Sequence, residues 1–367
     1  MTELAHLAIS NHGLRNSGGI ERYALTLVRG LHDRDIRPVF AAKVFDKTLP
    51  EYAWVDPVRV PMGLVPGKLR DFWFDWRLRA LKRRDGWAPL IACNQSGAAD
   101  IAICGSNHPA YLDAMGKRPG RIDRWKIALE RSHLSAAHTV VAHSMRVKNE
   151  AVKQYGIDPS KVALLYPPVD GERFSSVNET TRNALRAELG LPNDRVVFLL
   201  ASTGHKRKGL ELLSDFFAST DLPVTLVIAG RPAPGAHRNV RHLGYRSDME
   251  NVYRAVDFTV MASVYEPFGL VGVESVLSGT PVLLSEHAGC AEVIRRPAQL
   301  PFRPDQSSSL AAAIEEAVTR WRGGQHRLAA PLDWLTYDPS VAVHVDALLS
   351  LARACLQSNE LSRSKHL

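Results

Sequence analysis

Along the chain, short runs of apolar residues alternate with longer stretches that carry a helical apolar pattern. The short runs occupy residues 4–10, 38–44, 89–93, 101–104, 139–143 and 162–166 in the first half, and 196–201, 224–229, 258–262 and 281–284 in the second. Several consist almost wholly of Val, Ile, Leu, Phe and Ala without alternation. That is the pattern of strands covered on both faces, as in a parallel sheet flanked by helices. The segments between them, 20–33, 122–136, 145–155, 178–189, 208–217, 268–277 and 307–321, predict helices, and a last helical pattern spans 340–354. Strand, helix, strand in succession reads as βαβ units, hence α/β architecture. Two such series flank Pro167-Pro168-Val169-Asp170, where adjacent prolines end secondary structure. The expectation is a Rossmann-like domain over residues 1–167, a second over 168–338, and a C-terminal helix in 339–367 that returns to the first.

Length and composition agree with that division. A chain of 367 residues exceeds one ordinary core, and 45% hydrophobic with 23% charged residues excludes a disordered or collagen-like chain. The four cysteines, Cys93, Cys104, Cys290 and Cys355, lie far apart, with no C-x-x-C pair and no His cluster at metal-ligand spacing. A reducing compartment and no bound metal is the simpler reading. The opening residues lack a basic lead and a long apolar core, and the segment 267–285 carries Glu274 and is broken by Gly269, Gly272, Gly279 and Pro281. These features predict a soluble, cytoplasmic protein. Lys plus Arg number 46 against 38 acidic residues, a net charge of +8 that points to an anionic partner without naming it.

The most informative segment is Val264-Tyr-Glu266-Pro-Phe-Gly269-Leu-Val-Gly-Val-Glu274, directly after an apolar strand. Pro267 suits a helix start, and free amides at a helix N-terminus attract anions. Gly269 is expected to let an anion approach the backbone, making Gly269, Leu270 and Val271 a phosphate seat. Two carboxylates flanking such a seat make sense if each accepts hydrogen bonds from hydroxyls. A sugar nucleotide supplies that pattern: sugar hydroxyls, diphosphate, ribose diol. Among Lys206, Arg207 and Lys208, the last two are the candidates to stabilise a leaving diphosphate.

Glu266 and Glu274, with seven residues between them, resemble the E-x7-E element of retaining glycosyltransferases of family four, which have the GT-B fold of two Rossmann-like domains facing a cleft. Neighbouring blocks extend the resemblance. Ser202-Thr-Gly-His-Lys-Arg-Lys208-Gly209 resembles the loop that contacts the donor diphosphate, although Thr203 stands where many relatives have arginine. Leu243-Gly244-Tyr245-Arg246 resembles the base-binding turn, with Phe268 beside the donor. Gly289-Cys-Ala-Glu292 resembles the loop after the active site, and Asn16-Ser-Gly18-Gly19 the glycine loop of the first domain. His108 matches the position where relatives often carry a residue close to the transferred sugar. The resemblance implies catalytic roles for His108, Lys208 and Glu266. It implies donor contacts from Gly18, Gly19, Arg207, Lys208, Gly244, Tyr245, Phe268, Gly269, Leu270, Val271 and Glu274. The whole is most similar to bacterial lipopolysaccharide core sugar transferases, core glucosyltransferases among them. It implies transfer of a hexose, with retention, from a UDP-linked donor to a saccharide or lipid-linked acceptor, with no cofactor or metal.

Each motif also has a plainer reading. The two glutamates could be a cap and an exposed helix residue, Gly18-Gly19 a tight turn, and His108 a structural histidine. Asp33-Arg34-Asp35 reads as a polar turn rather than a metal motif, and Asn178-Glu-Thr180 as an incidental sequon. Two segments, 68–84 and 117–131, mix Trp and Phe with Lys and Arg, which suits contact with an anionic membrane surface or a phosphorylated acceptor. Aromatics packed in the core below a solvated basic face are the alternative. The rival functions are a sugar-nucleotide epimerase on the same fold and a non-enzymatic sugar-nucleotide sensor or nucleic-acid-binding protein. No recognisable nucleic-acid module accompanies the charge.

Overall fold

The computed structural model describes residue 4 and residues 6–232 and 238–364. Residue 5, within the first predicted strand, and the C-terminal residues 365–367 lie outside the described residues. The chain forms two units, Met1–Pro168 with Pro339–Leu367, and Val169–Asp338.

The first unit is built on a seven-stranded sheet, in chain order Ala8–Ser10, Val39–Ala42, Asp56–Arg59, Leu90–Ala92, Ile101–Cys104, Thr139–Ala142 and Val162–Leu164. Across the sheet these stand as third, second, first, fourth, fifth, sixth and seventh, and every pairing is parallel. The order reverses between the first and fourth strands, where Ala8 faces both Val39 and Leu90. Helix Gly19–His32 lays Tyr23, Leu27, Val28 and Leu31 on the sheet, in one core with Val345, Leu348 and Leu349 of the C-terminal helix Val341–Ser364. The two helices meet closely at Gly30, where an added Cβ would lie 2.6 Å from Val345 Cγ2. Tyr23 hydroxyl bonds His344 Nε2 at 2.8 Å, and Arg34 pairs with Asp346 at 2.7 Å.

The second unit repeats the plan with six parallel strands: Val196–Ser202, Val224–Gly230, Val240–Gly244, Phe258–Met261, Val282–Ser285 and Gln299–Phe302. They stand as third, second, first, fourth, fifth and sixth, so the order again reverses between first and fourth strands, which pair through Phe198 and Phe258. The first two are buried along almost their whole length, as uninterrupted Val, Leu and Ile runs require.

Three strands lack a counterpart in the apolar pattern: Asp56–Arg59, Val240–Gly244 and Gln299–Phe302. All three are outermost in their sheets, and the first two keep exposed, polar sequences, DPVR and VRHLG. Edge strands are half solvated and carry charge and proline, so periodicity does not reveal them. Helix starts also shift. The helix expected from 208 begins at Leu210, and that expected from 268 spans Leu270–Leu277. Pro267 therefore does not start the helix; it stands three residues ahead of it, because Gly269 in the left-handed region (φ 96°) redirects the chain in between. Segment 68–84 contains a helix, Arg70–Asp85, that buries Phe74, Leu78 and Leu81 and leaves Trp76 exposed.

Candidate active site

In an open parallel sheet, ligands bind beyond the carboxyl ends of the strands where the strand order reverses. In the second unit that point lies between Val196–Ser202 and Phe258–Met261, so the loops after those two strands carry the candidate chemistry. The first loop runs 203–209 and the second 262–269, and they are tied together by Val264 N–H donating to Arg207 O at 3.0 Å.

Gly209 closes the first loop and caps helix Leu210–Ser219. Its φ is 69°, and an added Cβ would stand 2.2 Å from Ala262 O. Only glycine lets the two loops approach this closely. That approach brings Lys208 and Arg207 to Glu266. Lys208 Nζ donates to Glu266 Oε2 at 2.5 Å, Arg207 Nη1 at 2.9 Å, and Ser263 Oγ at 3.1 Å. Arg207 also donates to Tyr265 O at 3.0 Å. The glutamate is buried, and burial pushes its carboxyl up; the charges and hydrogen bonds of Lys208 and Arg207 outweigh this and hold it below the usual range. All three donors fall on Oε2. The neighbouring Lys206 and Thr203 are exposed.

A third loop buttresses the second. Gly289 N–H donates to Glu266 O at 2.9 Å and Cys290 N–H to Phe268 O at 2.6 Å. A Cβ on Gly289 would sit 2.1 Å from Pro267 O. Beyond Gly269, helix Leu270–Leu277 leaves the amides of Gly269, Leu270 and Val271 without carbonyls one turn back, as at any helix start. The expected reason for glycine at 269 needs correction. Its missing Cβ would point at Met261 Cε (2.7 Å) and Glu266 Cγ (3.0 Å), so glycine is required by the turn and the packing, not by the approach of an anion. The ring of Phe268 is buried edge-on to Tyr337 at 6.4 Å.

Glu274 lies on the second turn of the same helix, 5% exposed, and accepts a hydrogen bond from Tyr253 hydroxyl at 2.9 Å. Glu274 is not an exposed helix residue, and Gly269 rather than Glu266 stands at the cap of the helix, so the plainer reading fails for both. Gly244 has φ 70°, and Tyr245 after it is 78% exposed, an aromatic face with no packing duty. Ser263 and Tyr253 escaped the sequence reading. Ser263, three residues before Glu266, had a local signal; Tyr253 did not, because its partner is 21 positions away.

In the first unit, Gly18 precedes helix Gly19–His32 with ordinary backbone angles, and nothing lies within 4 Å of a Cβ built on Gly19. The pair is exposed at a helix start and is not explained by a left-handed turn. His108 begins helix His108–Ala114. Its Nε2 bonds Asp123 Oδ1 at 2.9 Å, and its amide donates to Glu130 Oε2 at 2.9 Å. Glu130 is buried, accepts also from Gln95 Nε2 (3.1 Å) and Tyr155 hydroxyl, and burial pushes its carboxyl up. It joins two strand-end loops and was missed, although a glutamate inside the apolar stripe of helix Arg121–Ala136 was a visible irregularity. Asp33 ends helix Gly19–His32 and Asp35 has φ 56°, a polar turn, while Asn178 caps helix Glu179–Glu188 through Thr181 N–H.

Comparison with known proteins defines the class. Residues 17–173 match the family described as Glycosyltransferase Family 4, and residues 181–329 that described as Glycosyl transferases group 1. Over 349 residues the chain is 45% identical to a Burkholderia thailandensis protein named "Probable transglycosylase", covering 94% of this chain and 96% of that one. A D-inositol 3-phosphate glycosyltransferase of Xylanimonas cellulosilytica is 25% identical over 327 residues, 77% of this chain and 78% of the relative. Among solved structures, WaaG, a glycosyltransferase involved in lipopolysaccharide biosynthesis, is similar with a TM-score of 0.75 at 17% identity, covering 95% of this chain and 98% of that one. Anabaena Alr3699/HepE in complex with UDP and glucose is similar with a TM-score of 0.67 at 18% identity, over 98% and 99% of the two chains. The chain belongs to the glycosyltransferases that join a family-four N-terminal region to a group-one C-terminal region, and its two parallel α/β domains are the GT-B fold.

Proposed function

We propose that the protein transfers a hexose, with retention of configuration, from a UDP-sugar to a saccharide acceptor of the lipopolysaccharide core type. The observation that carries this reading is the meeting of Lys208, Arg207 and Ser263 on Glu266 Oε2, at the strand-order reversal and beside a helix start. Lys208, Arg207 and the amides of Gly269, Leu270 and Val271 would face the diphosphate, whose negative charge grows as the sugar–oxygen bond breaks. Glu266, kept ionised by its two cations, would hold sugar hydroxyls, Glu274 the ribose diol, and Tyr245 the base. Gly18 and Gly19 would contact the diphosphate, and His108, steadied by Asp123, would orient the sugar. The acceptor hydroxyl would attack the anomeric carbon on the face that the diphosphate leaves, passing its proton to a diphosphate oxygen. The UDP and glucose bound by Alr3699/HepE and the role named for WaaG support the donor and acceptor classes.

The exposed rings of Trp76 and Trp125, with Phe72 edge-on to Trp125 at 6.2 Å, lie among the arginines of helices Arg70–Asp85 and Arg121–Ala136. We assign to this face a peripheral contact with an anionic membrane on its cytoplasmic side. No helix among the described residues is long and apolar enough to cross a membrane.

A thermal-shift panel of nucleoside diphosphates and their hexoses tests the donor. At a hundred times its dissociation constant, the correct UDP-hexose should add about 2.7 kcal/mol of stability. Absence of any response would overturn the reading, and turnover of the donor without a transfer product would favour the epimerase.

A further inference from the structure

One helix grips His108 twice. Helix Arg121–Ala136 carries Asp123 and Glu130 two turns apart on one face. Asp123 Oδ1 bonds the ring nitrogen Nε2 of His108 at 2.9 Å, and Glu130 Oε2 accepts from the His108 backbone amide at 2.9 Å. An ionised carboxylate only accepts, so Nε2 carries the hydrogen, and the ring cannot turn over without losing that bond.

The two grips differ. The Asp123 side chain is partly exposed, and its Oδ2 also accepts from Gly120 N–H at 3.0 Å, at the start of its own helix. Glu130 is buried and meets groups from three separate elements. Its Oε2 accepts from the amide that opens helix His108–Ala114 and from the hydroxyl of Tyr155, the last residue of helix Met145–Tyr155. Its Oε1 accepts from Gln95 Nε2 at 3.1 Å, in the loop after strand Leu90–Ala92. The residue before His108 is fixed as well, since the Asn107 side chain accepts from Ala110 N–H at 3.1 Å.

The three partners of Glu130 are all donors: a backbone amide, a hydroxyl and a carboxamide. A carboxylate accepts at both of its oxygens, whereas a glutamine turns a donor toward one side. Burying that charge is costly, and burial pushes the carboxyl up in spite of the hydrogen bonds. Apolar packing would join the same elements at less cost. What the carboxylate adds is direction, because it fixes the start of helix His108–Ala114 at its first amide.

We propose that Glu130 is a positioning residue of the transfer reaction: it sets the backbone of His108 while Asp123 sets the ring, so that the histidine meets the transferred sugar in one orientation. The proposal rests on the transferase reading and on the place given there to His108. Groups that orient a substrate have to be held within about 0.5 Å of their working geometry, and two attachments do this where one leaves a pivot.

The experiment follows UDP release by hydrolysis of the UDP-hexose that ranks first in the thermal-shift panel, a readout that needs no acceptor. Glu130→Ala should lower kcat at least about tenfold, with the donor KM and the affinity for UDP changed less than about threefold. Glu130→Gln, whose carbonyl oxygen can still take the His108 amide and the Tyr155 hydroxyl, should bring kcat back to within about threefold of the wild type. Tyr155→Phe removes a donor from the same oxygen without touching His108. It should lower the melting temperature and change kcat less than about threefold. In a His108→Ala background, adding Glu130→Ala should lower kcat by less than about twofold, because the group it positions is gone. Should Glu130→Ala not fold, Glu130→Asp, which keeps the charge and withdraws it by one carbon, takes its place under the same expectations. The positioning role is overturned by an unchanged kcat, by a full loss in the His108→Ala background, by a glutamine variant as impaired as the alanine one, or by an equal kcat loss in Tyr155→Phe. A wild type that binds no UDP, or splits no UDP-hexose, would instead remove the transferase reading beneath it.

Discussion

Glu266 keeps its charge in a buried place because two cations and a hydroxyl converge on one of its oxygens. Removing Lys208 leaves burial opposed by Arg207 and the Ser263 hydroxyl, so the carboxyl should move up. Lys208→Met should lower kcat by about 10²–10³ if the ammonium also stabilises the leaving diphosphate. Glu274 is a different case, held by a neutral hydroxyl from Tyr253. Charge-assisted bonds to a ribose diol contribute about 1.5–3 kcal/mol each. Glu274→Ala should accordingly weaken UDP binding roughly ten- to a hundredfold by calorimetry, more than Tyr253→Phe, which removes only the orienting bond. Equal loss in the two variants would mean that Glu274 serves packing.

At the scale of elements, the C-terminal helix Val341–Ser364 is fastened to helix Gly19–His32 by close packing at Gly30 and by a directional chain of hydrogen bonds. His344 Nδ1 must donate to Tyr166 O, because a carbonyl only accepts, so Nε2 is left to accept from Tyr23 hydroxyl. That tautomer requires a neutral ring, and burial depresses His344 to about 4. His143, buried beside the Tyr23 ring, is likewise depressed to about 3 by burial and then by His344. A group with a lowered folded pKa binds protons more readily when unfolded. Its contribution to stability is complete above the unfolded value near 6.5 and is lost as pH falls from there toward the folded value. Stability should therefore fall as pH drops below about 6.5, approaching roughly 1.4 kcal/mol per pH unit for each histidine by pH 5, read as a falling melting temperature. His344→Gln, whose amide can still accept from Tyr23, should flatten that slope; a slope unchanged in the variant would assign it elsewhere.

For the whole molecule, the net charge of +8 gains meaning from where aromatics stand beside arginine. Trp76 and Trp125 are about half exposed, and the Phe72–Trp125 contact brings their two helices side by side. Exposed indole among guanidinium groups suits the interface of an anionic bilayer, with charge supplying range and ring burial supplying adhesion. The protein should co-sediment with phosphatidylglycerol vesicles and not with phosphatidylcholine ones. Trp76→Ala combined with Trp125→Ala should weaken this at least tenfold, and high salt should weaken it further by screening. Equal binding to both lipids would leave the face as an ordinary solvated surface.

Two kinds of information separate here. The residue pattern alone determined the α/β class, since strands such as Val196–Ser202 and Val224–Gly230 are buried on both faces and must be apolar throughout. It also placed Lys208, Glu266 and Glu274 close to strand ends and helix starts, because short-range order fixes where loops fall. Edge strands such as Val240–Gly244 stayed hidden, because half their surface faces water. The reason for Gly269 was misjudged because the side-chain atoms that crowd it, Met261 Cε and Cys290 Sγ, come from the end of a strand and from another loop. Only the tertiary structure could bring Arg207 and Lys208 onto Glu266 across 59 and 58 positions of chain, or set His12 and Lys43 over Phe74 with Asp71 alongside. Those meetings depend on strand order and on approach distances of a few ångströms, quantities that local periodicity does not encode.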